Sequence, residues 1–112
     1  SKAVLRQGDV VVVPFPYTDQ LAEKRRPALV VSGNAFNKRY GLVWVAMITS
    51  ADNAPWPADV PLAAKESGLD VDSVIRPAKL ATMDAARIVR VAGRINSPLQ
   101  QAVAKALAGI LA

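Results

Sequence analysis

The sequence predicts a mainly β fold, in which a small and strongly curved β-barrel is followed by a C-terminal α-helix. Apolar runs rich in β-branched residues recur along most of the chain, whereas helical periodicity is confined to its end. The chain has 112 residues and no cysteine, a length that permits a modest core without disulfides. We therefore predict one domain over residues 1–112.

Three runs have the continuous apolar character of strands that are covered on both faces. They are Asp9–Phe15, Ala28–Ser32 and Leu42–Thr49. Shorter segments complete a set of five or six strands, and prolines mark the first of them as an edge strand. They are Asp59–Leu62, Ser73–Leu80 and Ile88–Ile95. Trp44, in the middle of a long apolar run, is predicted to lie in the core.

The C-terminal segment has the signals of an amphipathic helix. Ser97 is a suitable N-cap, and Pro98 at the first helical position loses no hydrogen bond. Apolar residues then recur at spacings of three and four and predict one buried stripe. They are Leu99, Val103, Leu107, Ile110 and Leu111. A short helix or turn is also predicted over Met83–Arg87, capped by Thr82.

The charge balance indicates the class of partner. Fourteen Lys and Arg against nine Asp and Glu give a net charge of +5, which favours polyanions or an acidic protein. Ser1 to Val4 contain no apolar signal core, and every apolar run is far shorter than the roughly 20 residues that span a bilayer. With the absence of cysteine, this predicts a cytoplasmic protein without a membrane segment.

A cationic cluster stands at the start of the second predicted strand. Lys24, Arg25 and Arg26 end a polar connection over Tyr17–Arg25 and directly precede Pro27. The proline forces the residue before it toward an extended conformation, so Arg26 is held more rigidly than Lys24. A fixed guanidinium can bind a phosphate through two hydrogen bonds. From composition alone, a solvated charge run is the favoured interpretation of these three residues.

Two further features supply groups suited to nucleic acid. Thr49 and Ser50 end the third strand and offer hydroxyls at a second strand end, although hydroxyls there also commonly bond to nearby backbone. Trp56 stands in a loop between Pro55 and Pro57. Its ring is able either to stack on a base or to cover a dimer interface or the end of the barrel.

The motifs occur in an order that resembles a known family. They are "GDVVVVPF", a polar loop, "RRPALVVS", "WVAMITS", "DVPL", "GLDVDSVIRPAKLATMD" and "AGRI". In this order they resemble the MazF/PemK toxins of bacterial toxin–antitoxin modules, from Gly8 to the final helix. The resemblance implies an SH3-like barrel of five to seven strands with a C-terminal helix, acting as a homodimer.

The resemblance also implies a function, namely metal-independent cleavage of single-stranded RNA and inhibition by an acidic MazE/PemI-like antitoxin. It implies that Arg26 and Thr49 are catalytic and that no cofactor is needed. Attack by the ribose 2′-OH needs no protein nucleophile, and the two side chains would stabilise the charged phosphorus centre. The general base stays open, with Glu23 acting through water as one candidate. Residues expected to bind RNA are Lys24, Arg25, Ser50, Trp56 and Lys79.

The sequence departs from the family pattern in two places. The loop "YTDQLAEKR" lacks a Gly-Ser-Glu-type stretch, and Lys79 and Ala81 stand where many members carry Gln and Arg. These departures bear on the RNA sequence that is cut. Two alternatives remain: a CcdB-like poison of DNA gyrase, and a catalytically inactive RNA-binding module. The C-terminal "LAGILA" lacks the Trp-Gly-Ile ending of the gyrase poisons, which disfavours the first.

Overall fold

A computed structural model of the protein describes residues 5–15 and 24–112. Within these residues the strands are β1 Asp9–Phe15, β2 Lys24–Val30, β3 Leu42–Ser50, β4 Val60–Leu62, β5 Ser73–Asp84 and β6 Arg90–Arg94. The helices are α1 Asn34–Tyr40, α2 Ala64–Ser67 and α3 Ser97–Leu111, with a 3₁₀ turn at Ala85–Arg87. None of the helices in this part of the chain is long and apolar enough to cross a membrane.

The six strands form one antiparallel sheet in the order β4-β5-β3-β2-β1-β6. The sheet curls into a half-barrel, and α3 follows its last strand. The predicted mainly β fold with a C-terminal helix is therefore confirmed.

The long strands are apolar throughout because both faces of the sheet are covered. Val43, Val45 and Met47 of β3 belong to one core cluster, whereas Ala46 and Ile48 belong to the other. Since successive side chains of a strand point to opposite faces, one strand contributes to both clusters. Helix α3 covers the second cluster, with its side chain contacts centred on buried Val103.

A register shift bends the longest strand. Ala46 of β3 pairs with Leu80 of β5, but the next residue, Met47, pairs with Arg76. Residues 77–79 consequently have no partner in β3, and they form a bulge that increases the local twist of the sheet. Lys79 lies on this bulge and is exposed.

The start of β2 differs from the prediction. The strand begins at Lys24 rather than Ala28, and its pairing with β1 continues through Arg26 opposite Val13 to Lys24 opposite Phe15. It ends at Val30. The cations therefore belong to the strand itself, because the ladder to β1 extends beyond the apolar run. Most of the predicted connection over Tyr17–Arg25, together with Glu23, lies outside the described residues.

β1 has the predicted ends, Asp9–Phe15, and the remaining predicted strands are present with shifted ends. The largest shift is in β5, which continues to Asp84 instead of ending at Leu80. The helix predicted over Met83–Arg87 is accordingly reduced to the 3₁₀ turn, and its first flanking residue is Asp84 rather than Thr82. The longer strand is favoured because its last residue still pairs with Leu42 at the start of β3.

Helix α3 begins at Ser97, but its N-cap is Asn96, whose side-chain oxygen accepts a hydrogen bond from the backbone N–H of Leu99 at 3.0 Å. The predicted Ser97 cap was wrong by one residue, because Asn96 accepts the hydrogen bond of the residue three positions on; Ser97 is therefore the first helical residue and Pro98 the second, not the first as predicted. The apolar stripe was also predicted too long, since Ile110 and Leu111 are exposed beyond the edge of the second core cluster.

Trp44 was predicted to be buried and is not. Its side chain is 46% exposed and makes an edge contact with Phe36 of α1, with ring centroids 5.7 Å apart. The neighbouring Val43 and Val45 fill the core instead, because they point to the opposite face of the sheet. Helices α1 and α2 were not predicted from the sequence.

Candidate functional site

A groove of about 600 Å³ opens where β2 and β3 end. Its walls include Lys24, Arg25 and Arg26 of β2 and Thr49 and Ser50 of β3. Five of the seven residues predicted to act on RNA are therefore brought together, although they are separated by more than twenty positions in the sequence.

The register of the sheet explains why Arg26 and Thr49 are neighbours. The pairing of β2 with β3 ends at Ala28 opposite Met47. In an antiparallel pair the residues two positions further on are Arg26 and Thr49, and alternation places both on the face that carries Ala28 and Met47. Both residues are half-buried, and the Nε atom of Arg26 is buried. The arrangement places a guanidinium beside a hydroxyl.

The Thr49 hydroxyl is held by a residue that sequence reasoning missed. The side-chain amide of Asn53 donates a hydrogen bond to Thr49 Oγ1 at 2.5 Å, and the backbone N–H of Asn53 donates to the Ser50 carbonyl at 3.1 Å. Because the hydroxyl oxygen accepts from Asn53, its own proton remains available as a donor. The sequence feature that could have indicated this contact is an asparagine four residues after Thr49, in a segment with the composition of a turn.

Ser50 is oriented by the same turn. Its hydroxyl oxygen accepts a hydrogen bond from the backbone N–H of Asp52 at 3.2 Å. This is the local backbone contact that hydroxyls at strand ends commonly make, and it stiffens the turn over residues 50–53. Ser50 therefore shapes the groove wall through its backbone contacts as well as through its hydroxyl.

The charge in the groove is mostly positive. Lys24 and Arg25 are exposed, and with Arg26 they place three cations on one wall. Among the lining residues that the structure describes, Asp70 is the one carboxylate, and it also escaped the sequence analysis. Such a wall suits a phosphate, since guanidinium groups bind its oxygens in pairs, and Asp70 adds a proton acceptor.

Trp56 and Lys79 lie outside the walls of the groove. Trp56 is in the β3–β4 loop, three residues after Asn53, and its ring lies over the guanidinium of Arg76. Lys79 is on the bulge of β5. The part of the chain that the structure covers contains no cluster of three or more His, Cys, Asp or Glu side chains arranged for a metal ion.

Comparison of the chain with known proteins identifies similarity to one protein family. A model of the PemK-like, MazF-like toxins of type II toxin–antitoxin systems matches residues 6–111. The chain is 28% identical over 100 residues to Endoribonuclease MazF9 of Mycobacterium tuberculosis, covering 84% of this chain and 85% of that protein.

Solved structures agree with this family. The crystal structure of MazE-MazF (Form-III) from Deinococcus radiodurans superposes with a TM-score of 0.79 at 28% identity, covering 97% of each chain. MazF (Form-I) from the same organism gives a TM-score of 0.79 at 26% identity and covers 98% of each chain. The similarity extends over the strands that form the groove.

Proposed function

Because the chain belongs to the PemK-like, MazF-like toxin family of type II toxin–antitoxin systems, we propose that it is a metal-independent endoribonuclease that cuts single-stranded RNA at specific sequences. The name of the relative Endoribonuclease MazF9 supports this proposal. The observation that carries it is the adjacency of Arg26 and Thr49 in a groove lined by cations.

In the proposed reaction, the ribose 2′-oxygen attacks the adjacent phosphorus while the bond to the 5′-oxygen breaks. The products are a 2′,3′-cyclic phosphate and a 5′-hydroxyl end. Arg26 would offer paired donors to the negative charge that develops on the phosphate oxygens. The Thr49 hydroxyl, fixed by Asn53, would donate to one of these oxygens. Lys24 and Arg25 would hold neighbouring phosphates and so set the register of the strand.

The proton of the 2′-OH needs an acceptor, and the leaving 5′-oxygen needs a donor. Asp70 is a carboxylate in the groove, and Glu23 remains the candidate named from the sequence. The pH–rate profiles of Asp70→Asn and Glu23→Gln decide between them, because loss of the general base removes the limb of the profile that the base produces.

We further propose an acidic MazE-like antitoxin and a second copy of the chain as partners in the cytoplasm. The relative crystallised as MazE-MazF supports the first. An exposed apolar surface supports the second, since large apolar patches mark contacts between proteins. It includes Trp44, Leu80, Ile110 and Leu111 around a cavity of about 360 Å³.

The test is cleavage of a long single-stranded RNA in EDTA, with mapping of the new ends. We expect discrete cuts, a 5′-hydroxyl on one product and a rate that EDTA does not change. A substrate with one 2′-deoxy sugar 5′ of the cut should bind but stay intact, since its phosphates and bases are unchanged.

Three results would contradict this proposal. Cutting of the deoxy-substituted strand, or a 5′-phosphate product that needs Mg²⁺, indicates hydrolysis by activated water. Inhibition of DNA gyrase in a parallel supercoiling assay, without RNA cleavage, supports the gyrase poison. Binding of RNA without cleavage under all conditions supports an inactive RNA-binding module.

A further inference from the structure

A buried ion pair fixes the loop between β3 and β4. The Arg76 guanidinium lies 4.4 Å from the centre of the Trp56 ring, and its Nη2 donates to the Ala54 carbonyl at 2.5 Å. Its Nε lies 3.4 Å from the Asp59 carboxylate, and these two side chains are only 10% and 9% exposed. Asp59 also accepts a hydrogen bond from the Trp56 backbone N–H at 2.9 Å. One cation therefore holds both the loop backbone and the ring.

The Trp56 ring nevertheless stays open to solvent. It is 42% exposed although the guanidinium covers part of it, and residues 51–58 around it are all exposed. Pro55 and Pro57 restrict the backbone on either side. Ala58 takes a φ of 70°, a left-handed conformation that a non-glycine residue adopts only when its surroundings hold it. The loop is thus built to keep an aromatic surface exposed in one orientation.

The loop that presents this surface begins at the groove, since Ser50 and Asn53 line it. The loop that carries Trp56 also carries Asn53, which contacts the Thr49 hydroxyl. Arg76 pairs with Met47, which is two residues before Thr49 and on the same face of β3. Arg76 therefore connects the ring to the strand that supplies Thr49.

We propose that Trp56 is a stacking platform for one unpaired base of the RNA beside the cleaved phosphate, and that Arg76 and Asp59 are positioning residues that fix the platform. The inference rests on the proposed function. An unpaired base is the occupant that suits the surface, since an aromatic ring above a cation and beside a basic groove attracts a flat group carried on a polyanion. Arg76 itself is too buried to bind phosphate directly.

The test measures binding separately from cleavage, with a labelled RNA that carries a 2′-deoxy sugar at the cut. Trp56→Ala should weaken binding by roughly 5- to 150-fold, and Trp56→Phe by less, because phenylalanine retains a ring. The double variant Arg76→Met, Asp59→Asn removes one charge of each sign, so the net charge stays at +5. We expect it to weaken binding by about 2- to 30-fold, because the ring loses its cation and its fixed orientation.

Salt dependence separates positioning from direct contact. The slope of log Kd against log salt should be unchanged in the double variant, whereas loss of one phosphate contact to a single strand would reduce it by about 0.7. In a Trp44→Phe background, Trp56 is the single remaining tryptophan of the two in the chain. Its fluorescence should be quenched by RNA, and the double variant should show less quenching at saturation.

The inference is overturned if Trp56→Ala binds RNA as the unchanged protein does, or if the double variant alters the salt slope. It is also overturned if Trp56→Ala changes the mass measured by light scattering, or weakens antitoxin binding alone, since Trp56 then contacts protein. Absence of nuclease activity leaves this binding readout intact, so failure of the proposed function and failure of the platform are distinguishable.

Discussion

Replacement of Arg26 by alanine should separate catalysis from binding. Removing one preorganised donor to a developing oxyanion typically lowers kcat by about 10²- to 10³-fold, and we expect this loss for Arg26→Ala. The affinity for RNA should fall by a smaller factor than kcat. Lys24 and Arg25 stay in the groove, and the net charge falls by one from +5. One phosphate contact to a single strand contributes a factor of about 10^0.7 at about 0.1 M salt, so KM should rise by no more than about fivefold.

Two variants serve as matched controls. Arg25→Ala removes the same charge from the adjacent position, which also lines the groove but is exposed, whereas Arg26 is half-buried. It should raise KM and leave kcat nearly unchanged. Arg26→Lys keeps the charge but not the paired donors, so binding should recover while kcat stays low. Lys105→Ala, on the exposed side of α3, should change neither constant.

The assay is cleavage of a short fluorogenic RNA, with kcat and KM measured at several salt concentrations and thermal unfolding recorded for each variant. Unfolding temperatures should differ by only a few degrees, since none of these side chains lies in either core cluster. If Arg26→Ala and Arg25→Ala have kcat values within about threefold of each other, Arg26 supplies only general positive charge and its catalytic role is wrong.

Three further predictions concern the groove and the helix. Asn53→Ala should slow cleavage by about five- to tenfold, and it should have no further effect in a Thr49→Ala background, because Asn53 acts through the Thr49 hydroxyl. Additive losses of the two substitutions in this double-mutant cycle would contradict that role. Asn96→Ala should lower the free energy of unfolding by about 1 kcal/mol, while Ser97→Ala changes it little, as denaturant titration can check. An acidic antitoxin tail should raise KM without changing kcat, and simultaneous independent binding of tail and RNA argues against a shared groove.

The strands were predictable because burial on both faces leaves a continuous apolar signal in the sequence. Helix α1 left no such signal. It follows Gly33 without a side-chain cap, and its one buried residue is Asn37, which accepts a hydrogen bond from the Ser32 hydroxyl. A polar residue buried through a hydrogen bond does not register in a hydrophobic pattern. The prediction that Trp44 is buried was wrong for another reason. Alternation along a strand shows that side chains point to two faces of the sheet, but it does not show at which positions a face is left uncovered.

The site was predictable to a similar degree. Strand ends and family resemblance indicated Arg26 and Thr49, and these residues line one groove. Their adjacency depends on the register of β2 against β3, which follows from pairing along the whole sheet rather than from local sequence. Asn53 and Asp70 come from connections outside the long strands, where spacing in the sequence says little about distance in space.

Pro27 accounts for the opening of the groove at this point of the sheet. β2 continues to pair with β1 through Pro27 as far as Lys24, but its pairing with β3 ends at Ala28. Proline has no backbone N–H, so it cannot donate a hydrogen bond to the neighbouring strand that this N–H would otherwise face. Termination at Ala28 fits a missing donor on the β3 side. The two strands then diverge, and the three cations of β2 face the end of β3 across open space instead of across a hydrogen-bonded ladder. The Arg-Pro sequence thus supplies both the charge of the site and the room that a phosphate backbone needs.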